Sequence, residues 1–156
     1  MNIEENLKKY NILIPIPVKP VANYSPYVIS KNLIFISGQI PIVDGKVIYK
    51  GKVNKNISIH QAVKAAELCM LNSFAILINA VGNNLNQIKK CIKINVFINS
   101  DSSFIDQPEV ADGASNLISK IMEPNSNHAR SAVSVNSLPK DAAIEIDTIF
   151  EISLEK

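Results

Sequence analysis

Only two cysteines, Cys69 and Cys91, occur in the 156 residues, and nothing in their spacing matches a metal-ligand pattern. That excludes a disulfide framework and a zinc site, and a reducing, cytoplasmic setting is expected. Histidine is equally scarce: His60 and His128 supply no paired-histidine or two-metal constellation for phosphodiester cleavage. Basic residues form no run longer than a pair, and sixteen Lys and Arg against fourteen Asp and Glu leave a formal charge of +2. A dedicated nucleic-acid surface is therefore not expected, and Lys52, Lys55, Lys89 and Lys90 read as solvated charge. The most apolar stretch, 59–81, is interrupted by Lys64, Glu67, Asn72 and Asn79, so no membrane span is expected. The charged, proline-broken N-terminus lacks the apolar core of a secretory signal. No repeat, low-complexity tract or Gly/Ser linker divides the chain. One domain over 1–156 is expected, with 1–22, which hold three of the eight prolines, as an irregular lead-in.

The apolar residues, 47% of the chain, are enough for an ordinary core. In "YVISKNLIFISGQIP" two strands flank a Lys31-Asn32 turn, and "DGKVIYKG" reads as a third strand after the Asp44-Gly45 turn signal. The clearest helix begins at a capping box, Ser58 with Gln61, and stops at Gly82. "KKCIKINVFINS" alternates, with Ile92, Ile94, Val96 and Ile98 on one face; a second helix over 106–122 follows, begun by Gln107-Pro108. Two strands, 128–135 and 143–152, joined by "NSLPKD", complete an α+β order β-β-β-α-β-α-β-β. Two helices can cover one face of such a sheet. "NLIFIS" nevertheless offers apolar side chains to both faces, so a second cover is needed, and a partner subunit is the simplest one.

The last two strands each carry a charge of opposite sign. Ile144, Ile146, Phe150 and Ile152 share one face, which leaves Glu145, Asp147 and Glu151 on the other. Arg130 shares its face with His128, Ala132 and Ser134. If a partner covers the second face, Arg130 and Glu145 would lie in or beside an interface cleft with water partly excluded. The bland alternative is that the two simply pair, or are solvated strand charges. His128 reads as a structural or partly exposed histidine, and His60 as a first-turn helix residue.

"SPYVIS", "LIFISGQIPI" and "ARSAVSVNSLPKDAAIEID" together resemble the signature blocks of the YjgF-like, or Rid (reactive intermediate deaminase), family, also known as liver perchloric-acid-soluble protein-type endoribonucleases. The resemblance runs from about Tyr24 to Glu151. It implies a chorismate-mutase-like fold with two helices on one face of a mixed sheet, and a homotrimer whose sheets form a central barrel with clefts between subunits. It also implies cofactor-independent, metal-independent hydrolysis of enamines or imines such as 2-aminoacrylate to a 2-keto acid and ammonia. Arg130 matches the arginine that binds the substrate carboxylate, a task suited to a planar fork. Glu145 matches the glutamate that orients or activates water, and Tyr27 the tyrosine lining the pocket. Ser37, Gly38 and Ala132 fall among the substrate-binding positions. The chain is longer than the shortest members, so it resembles a long-form branch whose substrate can differ. Where well-studied members have an asparagine in the second helix, this chain offers Asp112 or Gly113, and an acid there would repel a carboxylate. The competing readings are a small-carboxylate-binding or regulatory protein with little turnover, and an endoribonuclease or translation inhibitor.

Overall fold

The computed structural model describes residues 2–17 and 24–153. Its strands are β1 (Tyr27–Ser30), β2 (Leu33–Gln39), β3 (Ile42–Val43), β4 (Lys46–Val47), β5 (Ile88–Asn99), β6 (Ala129–Val135) and β7 (Ile144–Ile152), and its α-helices are α1 (Ile3–Lys9), α2 (Ile59–Ala80) and α3 (Gln107–Ile121). Five strands make one sheet in the order β1-β2-β7-β5-β6. All neighbours are antiparallel except β5 and β6, which are parallel and therefore need the α3 crossover between them.

Most sequence expectations hold, with three corrections. The lead-in is not irregular throughout: Ile3–Lys9 is helical, its first turn capped by the Asn2 side chain. Asn6 then donates to the carbonyls of Ile121 and Glu123, tying α1 to the end of α3, while 18–22 lie outside the described residues. The expected third strand does not join the main sheet. Asp44 and Gly45 both have positive φ, 48° and 77°, the signature of a type I′ turn, and the turn closes only the two-residue hairpin β3-β4. Finally, Ile92 leaves the face it was expected to share with Ile94. Cys91 pairs with Phe150 and Lys93 with Ile149, so Ile92 is the extra residue of a β-bulge and Cys91 takes the inward place instead.

The capping box of α2 is present, with Gln61 and Ser58 satisfying each other's backbone N–H groups. Length and composition alone would let α2 cross a membrane, but its apolar residues pack on the sheet, where Phe74 meets Phe150 edge to face at 6.1 Å. Two of its polar residues, Asn72 and Ser73, bind it there. Asn72 donates to the carbonyls of Ile40 and Ile42, and the Ser73 and Thr148 hydroxyls bond at 2.7 Å inside the core.

Gly113 lets α3 approach α2 closely, since a Cβ there would sit 2.2 Å from the Val63 carbonyl oxygen. Backbone cannot swing aside as a side chain can. Gly113→Ala should therefore cost about 1–3 kcal/mol of stability, measured by urea unfolding. An unchanged unfolding midpoint would remove this explanation of the glycine.

Cys69 and Cys91 are both free and buried, as expected for core residues. Burial pushes the Cys69 thiol well above its ordinary range and that of Cys91 to about 12. Neither should react rapidly with a thiol reagent in the native protein, and both should react after denaturation. Fast native labelling of either would contradict the packing.

Register divides the sheet into two faces. Ile94, Val96, Ile98, Ile144, Ile146 and Phe150 face α2 and α3 and are fully buried. On the other face Val28, Phe35 and Val133 remain 59%, 41% and 48% exposed, with Leu33, Phe97 and Ile149 half-buried beside them. Among the described residues no helix covers that face.

Candidate functional site

Glu145 projects from β7 onto the uncovered face, since its neighbours Ile144 and Ile146 point into the core. It lies across Gly38, where an added Cβ would come 2.0 Å from Glu145 Oε1. Gly38 can be approached this way because β2 is bulged there: Ile36 pairs with Thr148 and Gln39 with Ile146, so three steps on β2 face two on β7. The bulge is held by Gln39 Nε2, which donates to the carbonyls of Ser37 and Gly38, and by the Ser37 hydroxyl, which donates to the Ser25 carbonyl at 2.8 Å. Of the sequence-expected positions, Gly38 and Glu145 thus meet, while the hydroxyl of Ser37 is engaged by Ser25.

Two forces set the charge of Glu145. Half-burial disfavours its ionised form, and Asp147, two residues along on the same face, adds like-charge repulsion; both push its carboxyl above the usual range. Asp147 is itself held by the Asn95 side-chain amide at 2.7 Å. Sequence reasoning places Asp147 on this face without giving it a role, and it passes over Asn95. The period-2 pattern is the available signal for Asp147; Asn95 requires the register of β5 against β7.

Arg130 lies elsewhere. In parallel register it pairs with the fully buried Ile94, so its side chain leaves β6 on the helix-covered face, opposite to Glu145. The expectation that an open sheet face carries Arg130 is corrected: the open face carries Glu145. The bland alternative, an Arg130–Glu145 pair, fails within one chain for the same reason. Arg130 instead bonds Asp112 Oδ1 at 2.7 Å and the Ser115 hydroxyl at 3.0 Å, both on α3, with a longer contact to the Pro108 carbonyl. Ser115 in turn meets His128 Nε2 at 2.9 Å, and His128 Nδ1 meets the Ser126 carbonyl at 2.8 Å. His128 is therefore a structural link, as expected. Of the two candidate positions on α3, Asp112 faces Arg130, while Gly113 serves the α2 contact.

Tyr27 pairs with the buried Ile36, so its ring packs half-buried against the core on the helix side of β1. Ala132 pairs with Val96 and also packs on the core side. β1 and β6 are opposite edges of a five-stranded sheet, about 19 Å apart at ~4.8 Å per strand spacing. Tyr27 and Arg130 of one chain cannot touch the same small molecule. Lys52, expected to be solvated charge, is a clip: its ammonium bonds Asn99 Oδ1, the Ser100 carbonyl and the Asn136 carbonyl. His60 is exposed in the first turn of α2, as its position suggested. No group of three or more His, Cys, Asp or Glu among the described residues could hold a metal ion.

The family model described as "YjgF/chorismate_mutase-like, putative endoribonuclease" matches residues 6–151. Protein TCP17 of Trypanosoma cruzi is 36% identical over 152 residues, covering 97% of this chain and 94% of its own. The crystal structure of Atu1372 from Agrobacterium tumefaciens, a protein of unknown function, superimposes with a TM-score of 0.89 at 40% identity, covering 97% of this chain and 92% of that one. A 2-iminobutanoate/2-iminopropanoate deaminase of Dermatophagoides farinae is 26% identical over 141 residues, covering 90% of this chain and 94% of its own.

Proposed function

We propose, from the premise that this chain belongs to the YjgF/chorismate mutase-like family, that it hydrolyses reactive enamines or imines of the 2-aminoacrylate type to a 2-keto acid and ammonia, using no metal or organic cofactor. The observation that carries this is Glu145: a half-buried carboxylate with a raised proton affinity, lying against a glycine with no side chain to fill the space. The name of the Dermatophagoides farinae relative supports the same reaction class. Water adds to the imine carbon while Glu145 takes its proton. Returned to the imine nitrogen, that proton completes a carbinolamine with hydroxyl and amine on one carbon; Glu145 then takes the hydroxyl proton and passes it to nitrogen, so that the C–N bond breaks and ammonia leaves as the carbonyl forms. Because an imine is already electrophilic, positioning and one proton acceptor suffice.

The substrate carboxylate is assigned to Arg130, and since Arg130 and Glu145 of one chain lie on opposite faces, the site is completed by a neighbouring subunit. A homotrimer built on the face bearing Val28, Phe35 and Val133 covers that apolar surface. Light scattering should give three times the 17.1 kDa chain mass. A monomer at micromolar concentration would leave Arg130 and Glu145 without a shared site.

The reaction is tested by generating 2-aminoacrylate or 2-iminobutyrate in situ with a dehydratase. Purified protein should suppress semicarbazone formation by competing for the imine. The engagement of Arg130 by Asp112 favours a second reading, in which the cleft holds a small ligand with little turnover. Ligand binding without any loss of semicarbazone would select it.

A further inference from the structure

The guanidinium of Arg130 is already committed inside its own subunit. One terminal nitrogen, Nη1, gives both its N–H groups away, to Asp112 Oδ1 at 2.7 Å and to Ser115 Oγ at 3.0 Å, and Nη2 reaches the Pro108 carbonyl at 3.4 Å. Asp112 and Ser115 stand three apart on α3, so one face of the helix presents both to β6. Ser115 is fixed from behind. His128 Nε2 meets the Ser115 hydroxyl and its Nδ1 meets the Ser126 carbonyl, while Ser115 Oγ accepts from Arg130. The Arg130 side chain is about one-quarter exposed and that of Asp112 about half, so a ligand can reach the pair.

Two consequences follow for an incoming molecule. A carboxylate meets a guanidinium whose charge is offset by Asp112 and whose Nη1 is spent, so that it is held only by the remaining Nε and Nη2 N–H groups, and more weakly. An uncharged carboxamide meets a donor and an acceptor together. The remaining N–H groups of Arg130 suit its carbonyl oxygen, and Asp112 Oδ2, which has no partner among the described residues, suits its N–H.

We infer that Asp112 is the specificity-determining residue of this site, turning it from imines with a free carboxylate toward imines whose carboxyl group is an amide. This rests on the hydrolytic reading of the Arg130–Glu145 cleft and extends its substrate class to imino amides, whose hydrolysis gives a 2-oxoamide and ammonia. Asp112 acts by altering what Arg130 can bind, and it takes no part in the proton transfers.

The test compares two stable ligands of one carbon skeleton, 2-oxobutyrate and 2-oxobutanamide, by isothermal titration calorimetry on the full-length protein. The ratio of their dissociation constants is the readout, because general loosening of the fold would not change it. Asp112→Asn removes the charge at nearly constant shape and should shift the ratio toward the carboxylate by about tenfold, the scale of one screened charge a few ångströms away. Asp112→Ala should shift it in the same direction, which guards against a fault peculiar to the asparagine. An unchanged ratio in both variants overturns the inference, as does failure of either ligand to bind any form of the protein. Should the ratio shift while no variant hydrolyses an imine, the role of Asp112 stands and the deaminase reading falls. Should 2-iminobutyrate be hydrolysed with no shift in the ratio, the deaminase reading stands and the role of Asp112 falls.

Discussion

Glu145→Gln should lower imine turnover by about 100-fold or more, the scale of a positioned general base, while ligand affinity stays close to that of the parent. Glutamine keeps the shape that lies over Gly38 but cannot take a proton from water. The pH profile gives a second reading of the same group. A base must be ionised to act, and burial together with Asp147 raises the proton affinity of Glu145, so the parent rate should climb with pH through an apparent pKa above the usual carboxylate range. The variant should lack that limb. Stability should move the other way. A carboxyl whose folded-state pKa is raised binds its proton more tightly when folded, so ionising it costs stability as pH rises through the unfolded value toward the folded one. Above that window Glu145→Gln should melt slightly higher than the parent. Unchanged turnover, with the acidic limb intact, would remove Glu145 from the chemistry.

Arg130→Ala should reduce kcat/KM for 2-iminobutyrate by on the order of 100-fold, because it removes the charge-assisted hydrogen bonds to the carboxylate and leaves Asp112 unneutralised in the cleft. Arg130→Lys should recover little of this, since a lysine offers a point charge without a fork. The oligomer and the melting temperature should change little: the partner of Arg130 is an exposed acid, and a pair of that kind contributes at most about 1 kcal/mol. If Arg130 is only a structural clamp for α3, Arg130→Ala and Asp112→Ala should each destabilise the protein and the double variant should recover much of the loss, with imine hydrolysis untouched. Thermal melts of the three variants beside the imine assay separate these outcomes, and Glu145 has no place in the cycle because it stands on the other face.

The two long helices and the long strands were legible because periodicity is a local property. Ser58 with Gln61, the alternation from Ile144 to Ile152, and Gln107-Pro108 at the start of α3 each act within a few residues, and each appears where the sequence places it. The short helix at Ile3–Lys9 was not legible: seven residues are too few to hold a helix by propensity, and it depends on Asn6 reaching Glu123, 117 positions away. The bulge at Ile92 was hidden for a similar reason. An extra residue on one strand shows only against its partner, and without it the strand reads as unbroken alternation.

The site divides along the same line. Sequence by itself determined which residue types are available, the sheet face of Glu145 and the company Arg130 keeps on its own strand, because side-chain direction along a strand follows a period of two. Which face of Arg130's strand joins which face of Glu145's is a matter of pairing across β5, and only the tertiary structure decided that the two point apart. It also decided that Arg130 meets Asp112 and that Gly113 is spent on the α2 contact, since both depend on how α3 is rotated against its neighbours, a choice made by helix packing at points distant in the chain.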